Sequence, residues 1–282
     1  MIFSSSAKAS ASFHFFPNNN GWLGGDAIYS NVYPGNKTLW LFGDSFVNND
    51  NAAPLSRSTS FFINNSVGIS DNDDLSDIQY YWKTNDQGQP TAIFQHDGSV
   101  PHGFYWPKDS FWHNNKLYVF LLEVSIHNPQ HSLDFNMHGV TIAEITNPQN
   151  TPDHWEIKYH KLEQPEDVYP GSAVININDG YIYSLSIIIG QDSSRPVALH
   201  RLSLESLSKG TPKLEVLKVD GSWSNDFNLS DTKFLFDPGS DEMSLSYKPE
   251  TEQFIVVYSL PLVNNNIIVR ISERLDSGWS RP

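Results

Sequence analysis

The chain has 282 residues, with 18 Lys and Arg against 32 Asp and Glu, a formal net charge of -14 and a sequence pI near 5.0. It carries no basic cluster, so nucleic acid and anionic membrane surfaces would be repelled, while a neutral substrate is not penalised. The absence of cysteine removes disulfides, thiolate catalysis and Cys-ligated zinc.

Aromatic residues make up 13% of the chain and charged residues only 18%, a balance that suits many short strands better than long surface helices. No run approaches the ~20 apolar residues of a membrane span, and Met1–Lys8 shows neither a basic n-region nor an apolar h-region. Residues 1–20 are small and polar apart from Phe13-His14-Phe15-Phe16, a candidate closing strand. Residues 21–282 are expected to form one domain.

Two short runs rich in β-branched and aromatic residues flank Pro34-Gly35-Asn36-Lys37 and predict a hairpin, with an aspartate at the outer end of each strand, Asp26 and Asp44. Cross-strand neighbours lie roughly 5 Å apart, close enough for two carboxylates to shift each other's proton affinity. Register decides whether they meet. A two-residue loop pairs Asp26 with Ser45 and sends Asp44 to the other face; a loop one residue longer or shorter puts both aspartates on one face. The alternative is that both simply bond backbone amides at strand ends.

A turn followed by an apolar strand recurs with starts at Leu39, Leu117, Tyr181 and Phe254. Each copy has a preceding strand, opening at Asp26, Asp109, Gly171 and Glu242. A following strand is expected at Ser58–Ile63, Val140–Ile145, Pro196–Ser203 and Ile267–Ser272. Fourth strands fit Trp155–His160 and Leu214–Val219, Gln79–Lys83 reads as a further strand, and Leu202–Leu207 is the best helical candidate. This irregular repeat predicts an all-β, five-bladed β-propeller, whose fifth blade is either incomplete or closed by the N-terminal strand.

In a propeller the first residues of the innermost strands converge on one channel mouth. Here they bring Asp26, Asp109 and Glu242, with Trp22, His102, Trp106 and Tyr169 nearby. Carboxylates with aromatic faces suit sugar chemistry, one as nucleophile or base and another as protonated acid. Each has an ordinary structural reading too: Asp109 as a turn cap, Glu242 as a salt-bridge partner of Arg270 or Arg201, and Trp106 and Tyr169 as packing aromatics.

His102, His127, His131 and His138 fit no compact ligand spacing, and Asp71-Asn72-Asp73-Asp74 lacks the glycine and glutamate of an EF-hand. No metal and no cofactor is therefore expected. Asn36, Asn64 and Asn228 begin glycosylation sequons of a kind that arise by chance in an Asn-rich chain.

Gly24-Gly25-Asp26, the segment Leu39-Trp40-Leu41-Phe42-Gly43-Asp44-Ser45-Phe46, Trp106-Pro107-x-Asp109, Tyr169-Pro170-Gly171-Ser172, Glu242–Tyr247, and Arg270 with Gly278-Trp279-Ser280-x-Pro282 resemble a known family. It is the bacterial five-bladed propeller family long held as a domain of unknown function and now associated with endo-D-arabinanases. The resemblance spans about residue 21 to the end, and the Leu39–Phe46 segment is its most specific part.

It implies a retaining glycoside hydrolase cutting internal α-D-arabinofuranosyl linkages through two first-blade aspartates, which fall on Asp26 and Asp44 in the register that puts both on the channel side. The resulting expectation is a glycosidase with catalytic Asp26 and Asp44. Trp22, His102, Trp106, Asp109, Tyr169, Glu242 and Arg270 would bind substrate, the partner is a polysaccharide, and the protein is a monomer, secreted or in the cell envelope. The rival expectation is a non-catalytic glycan- or protein-binding propeller.

Overall fold

The computed structural model describes residues 21–49, 56–72, 74–126, 134–165, 167–188, 194–260 and 266–282. The closing strand expected at Phe13–Phe16 and two histidines weighed as ligands, His127 and His131, lie outside these residues.

The first hairpin holds four strands, β1 (Trp22–Gly25), β2 (Tyr29–Tyr33), β3 (Lys37–Phe42) and β4 (Ser45–Val47). Tyr33 pairs with Lys37, so the turn is the three residues Pro34-Gly35-Asn36, with Gly35 and Asn36 at φ of 83° and 61°. Beyond Tyr29↔Leu41 the two chains part into different sheets. β2 and β3 continue into β6 (Ser66–Asp71) and β7 (Asp74–Tyr81), whereas β1 and β4 pair with β5 (Phe61–Ile63) in a separate three-stranded sheet.

This split corrects the strand expected at Ser58–Ile63. Arg57–Thr59 forms a 3-10 turn and Phe61–Ile63 pairs with β4, so the third strand of the first large sheet is β6. The fourth, β7, contains most of the Gln79–Lys83 segment.

After the short ribbon of β8 (Lys83–Thr84) and β9 (Pro90–Thr91), a second antiparallel sheet has the order β10 (Gly103–His113), β11 (Lys116–Ile126), β12 (Phe135–Ile145), β13 (Ile157–Lys161). A third runs β14 (Ala173–Asn176), β15 (Tyr181–Ile187), β16 (Val197–Ser203), β17 (Leu214–Leu217), β18 (Trp223–Ser224), with β19 (Phe234–Phe236) also on β16. The fourth is β20 (Met243–Lys248), β21 (Gln253–Ser259), β22 (Ile267–Ser272). A short helix, α1 (Leu204–Ser208), starts at the N-cap Ser203, whose hydroxyl accepts from Ser206 N.

The innermost strands β2, β10, β14 and β20 adjoin in that order, and the sheets stack face to face in a propeller-like, all-β arrangement. Alternation along the strands sends one set of side chains into each interface. Leu39, Leu41 and Val67 meet Leu117, Val119 and Leu121 between the first and second sheets. Phe120, Leu122 and Ile142 meet Ile182, Leu202 and Leu214 between the second and third. Leu185 and Leu199 meet Val256 and Tyr258 between the third and fourth.

Polar ties at the centre fix the sheets to one another. The β10–β11 register shifts between Pro107 and Ser110, and this bulge re-aims Lys108 and Asp109. Lys108, 3% exposed, donates to Asp241 Oδ1 at 2.7 Å, the Tyr169 carbonyl at 3.1 Å and Ser172 Oγ at 3.3 Å. The Tyr29 hydroxyl donates to the Asp241 carbonyl at 3.0 Å. Asp109 accepts from the amides of Ser110 and Val174 at 2.8 and 2.7 Å, and its own amide donates to the Gly171 carbonyl at 3.1 Å. A Cβ at Gly171 would lie 2.6 Å from Phe120 Cβ, so only glycine lets the third sheet approach this closely.

Burial pushes the Asp109 carboxyl up to about 7 and the Asp44 carboxyl up to about 6, against roughly 3.9 unfolded. The folded chain therefore binds these protons more tightly than the unfolded one, and stability gains as pH falls through the folded values. His200 acts the other way: burial holds it down at about 3, so below about pH 6.5 the unfolded state takes up a proton that the fold refuses. These three groups raise the thermal unfolding midpoint as pH falls from 8 to about 6.5, hold it level to about pH 6, where Asp109 and His200 cancel, and raise it again below that as Asp44 takes up its proton; a midpoint that falls steadily from pH 8 downwards would contradict this assignment.

Candidate active site at the first hairpin

The register of β2 and β3 carries Asp26 to the position opposite Asp44, at the end of the hairpin remote from its turn. The Asp26 amide donates to the Asp44 carbonyl at 3.1 Å, and the Gly43 amide donates to the Asp26 carbonyl at 2.9 Å. Here the strands change sheet. Ala27 takes a φ of 45°, and a Cβ on Gly43 would stand 2.7 Å from Asp26 Oδ1. Glycine at 43 is what leaves room for the Asp26 carboxylate beside the opposite strand.

The two carboxylates have different surroundings. Asp44 is half-buried, and its Oδ1 accepts from Trp106 Nε1 at 2.8 Å and Asn64 Nδ2 at 3.3 Å. Burial raises its pKa to about 6, the Trp106 bond opposes that rise, and the negative charge of Asp26 adds to it. Asp26 is exposed at the strand end; burial raises its pKa, and the backbone amides of Asp44 and of its own residue lower it.

Beside the pair opens a cavity of about 260 Å³ lined by Ala27, Trp106, Leu122, Tyr169, Arg195 and Glu242, among others. Tyr29, Trp106, Phe135 and Tyr169 supply the aromatic part of its wall. Trp106 stands edge-on to Phe104 and Phe135, with ring centroids 5.5 and 5.1 Å apart. Glu242 is exposed at the rim, and burial with the charges of Asp241 and Asp26 raises its pKa, Lys108 opposing. The charge of Asp26 thus raises the pKa of both Asp44 and Glu242.

Of the other residues expected at this mouth, Tyr169 lines the cavity, 6% exposed. Asp109 sits deeper, in a cleft between the first and fourth sheets that Glu242 also lines. Three lie elsewhere. Trp22 is 3% exposed and stacks on Tyr80 at 4.4 Å, because the alternation of β1 turns its large ring into the core under the small sheet. Arg270 is 4% exposed and donates to Tyr258 Oη and the Ser280 carbonyl, both at 2.8 Å, so it fastens the final segment to the fourth sheet. His102 is exposed on the turn before β10, at a φ of 57°.

Asn64, Lys108 and Asp241 carry no site signal in the sequence that separates them from ordinary polar residues. Asn64 carried only a sequon signal, and the inward turn of Lys108 depends on a bulge that alternation does not reveal. Among the described residues no group of three or more His, Asp and Glu is placed to hold a metal ion, and no helix is long and apolar enough to cross a membrane.

Trp106 donates to the ionised form of Asp44, so Trp106→Phe should raise the Asp44 pKa above about 6. Carbon-13 NMR titration of the side-chain carboxyls checks this; an unchanged or lowered value would show that the indole bond does not hold the carboxylate.

A Bacteroides ovatus ATCC 8483 protein provisionally named a hydrolase shares the fold, at a TM-score of 0.69 and 16% identity over 93% of this chain and 69% of that one. A Hadza microbial sialidase aligns at a TM-score of 0.48, with 9% identity over 93% of this chain and 46% of that one. An α-L-arabinofuranosidase from Lactobacillus brevis aligns at 0.46, with 14% identity over 91% and 74%. The last two likenesses are too loose to carry an argument. No curated protein matches the chain. The sequence profile of one family matches residues 12–198, well over half of the chain, and the chain therefore belongs to that family, described as a domain of unknown function, DUF5005.

Proposed function

We propose that the chain is a retaining glycoside hydrolase that cuts internal furanoside linkages, with D-arabinan as its substrate, on a five-bladed propeller. The observation that carries this reading is the placement of Asp26 opposite Asp44, with Trp106, which bonds Asp44, forming part of the wall of the neighbouring cavity. The family resemblance supplies the substrate.

Asp26, exposed, is the nucleophile: its carboxylate attacks the anomeric carbon. Asp44, with the more strongly raised pKa, holds the proton and passes it to the departing glycosidic oxygen. A glycosyl ester on Asp26 results. Asp44, now ionised, takes a proton from water as that water attacks the anomeric carbon, which frees Asp26 and returns Asp44 to its acid form. Trp106 and Asn64 both bond Oδ1 of Asp44, which leaves Oδ2 for the proton transfer. Glu242 faces sugar hydroxyls, and Trp106 and Tyr169 offer ring faces to sugar C–H surfaces. Such a polysaccharide places the protein, a monomer, outside the cell or in its envelope.

A glycan-binding module without hydrolysis is the second reading, and the cavity lining of Trp106, Phe135 and Tyr169, which includes neither Asp26 nor Asp44, favours it. Product release from D-arabinan, L-arabinan and xylan separates the two. The expected result is oligosaccharide release from D-arabinan that drops by several orders of magnitude in both Asp26→Asn and Asp44→Asn, with folding intact. The wild-type rate should fall as pH rises above about 6, because Asp44 must be protonated. No release from any glycan would leave the binding reading; release that survives both substitutions would place the chemistry elsewhere.

A further inference from the structure

The small sheet of β1, β4 and β5 has two unlike faces. Ser45 and Val47 are fully buried and Ile63 is 5% exposed, so alternation turns Phe46 and Phe62 to the opposite face. Asp44 and Asn64 lie two residues along the same strands and share that face; their mutual hydrogen bond parallels the cross-strand pairing of Phe46 with Phe62. The acid row and the aromatic row are thus about 7 Å apart, two residues of strand rise, on the order of one sugar ring.

The aromatic row is built and open. Phe46 and Phe62 meet edge-on, centroids 5.3 Å apart, and Phe62 is 52% exposed. The Arg57 guanidinium lies over the Phe46 ring, 5.1 Å from its centroid, and 3.0 Å from where a Gly24 Cβ would stand. Gly24 pairs with Phe46 from the other side, and its missing side chain admits the guanidinium. Arg57 is exposed, and among the described residues it has no carboxylate within ion-pair distance.

We propose that Phe62, Phe46 and Arg57 form a second sugar-binding subsite, on the far side of the acid pair from the cavity of Trp106 and Tyr169. An exposed ring takes the apolar face of a sugar, as aromatic rings take flat ligands elsewhere, and the guanidinium donates to its hydroxyls. The ligand is a glycan chain, bound on both sides of the bond to be cut, which is what internal cleavage requires. This inference rests on the hydrolase reading for the position of the scissile bond, but not for the binding itself.

The test uses the full chain with Phe62→Ala and Arg57→Ala, both at exposed positions. The ratio of kcat/KM on D-arabinan to kcat/KM on an aryl D-arabinofuranoside should fall about ten-fold in each, the equivalent of about 1.4 kcal/mol of lost binding. Retardation in polyacrylamide gels containing D-arabinan should weaken in parallel. An unchanged ratio and unchanged retardation in both variants overturns the subsite and leaves the hydrolase standing. Retardation that both variants abolish, in a wild type that cleaves nothing, overturns the hydrolase and leaves the subsite. A wild type that neither cleaves D-arabinan nor is retarded by it overturns both.

Discussion

The three-residue turn at Pro34–Asn36 sets the register between β2 and β3, and that register carries Asp26 opposite Asp44. A turn one residue shorter would invert one strand's faces and separate the two carboxylates. The pairing also brings a cost, since two carboxylates at one strand end repel. The structure offsets it on Asp44 with the indole of Trp106 and the amide of Asn64, and nearby backbone amides lower the Asp26 pKa. Because these donors differ, so do the two proton affinities.

The larger sheets hold this arrangement in place. Trp106 reaches Asp44 from the second sheet, on a strand whose bulge two residues later sends Lys108 inward to the Asp241 carboxylate of the fourth sheet's leading turn and the Tyr169 carbonyl of the third. A buried lysine breaking even on its ion pair is no source of great stability. Its value here is geometric, because one ammonium fixes three elements around the cavity. The apolar interfaces of Leu41, Phe120 and Leu199 provide the binding free energy between sheets.

Much of this was legible in the chain. Third strands at Val140–Ile145, Pro196–Ser203 and Ile267–Ser272 lie within or within one residue of β12, β16 and β22, since each is an apolar run bounded by turn residues. Leu202–Leu207 overlaps α1. The strand at Ser58–Ile63 was misplaced because nothing local to it shows that the first hairpin divides between two sheets. The acid pair was visible as two aspartates, but its register needed the turn length. Trp22 and Arg270 read as rim residues from their neighbours in sequence; their burial is set by contacts with Tyr80 and Tyr258, distant along the chain. Asp241 gave no signal and Asn64 only a sequon, because a single polar residue beside a strand is ordinary everywhere.

The central claim, that Asp26 attacks sugar while Asp44 supplies the proton, is tested most directly by trapping the covalent intermediate. Incubation with an activated 2-deoxy-2-fluoro-D-arabinofuranoside, followed by peptide mass spectrometry, should find one adduct, on the peptide that holds Asp26, and none in Asp26→Asn. An adduct on a peptide without Asp26, or an unlabelled protein that still cleaves D-arabinan, would contradict the account.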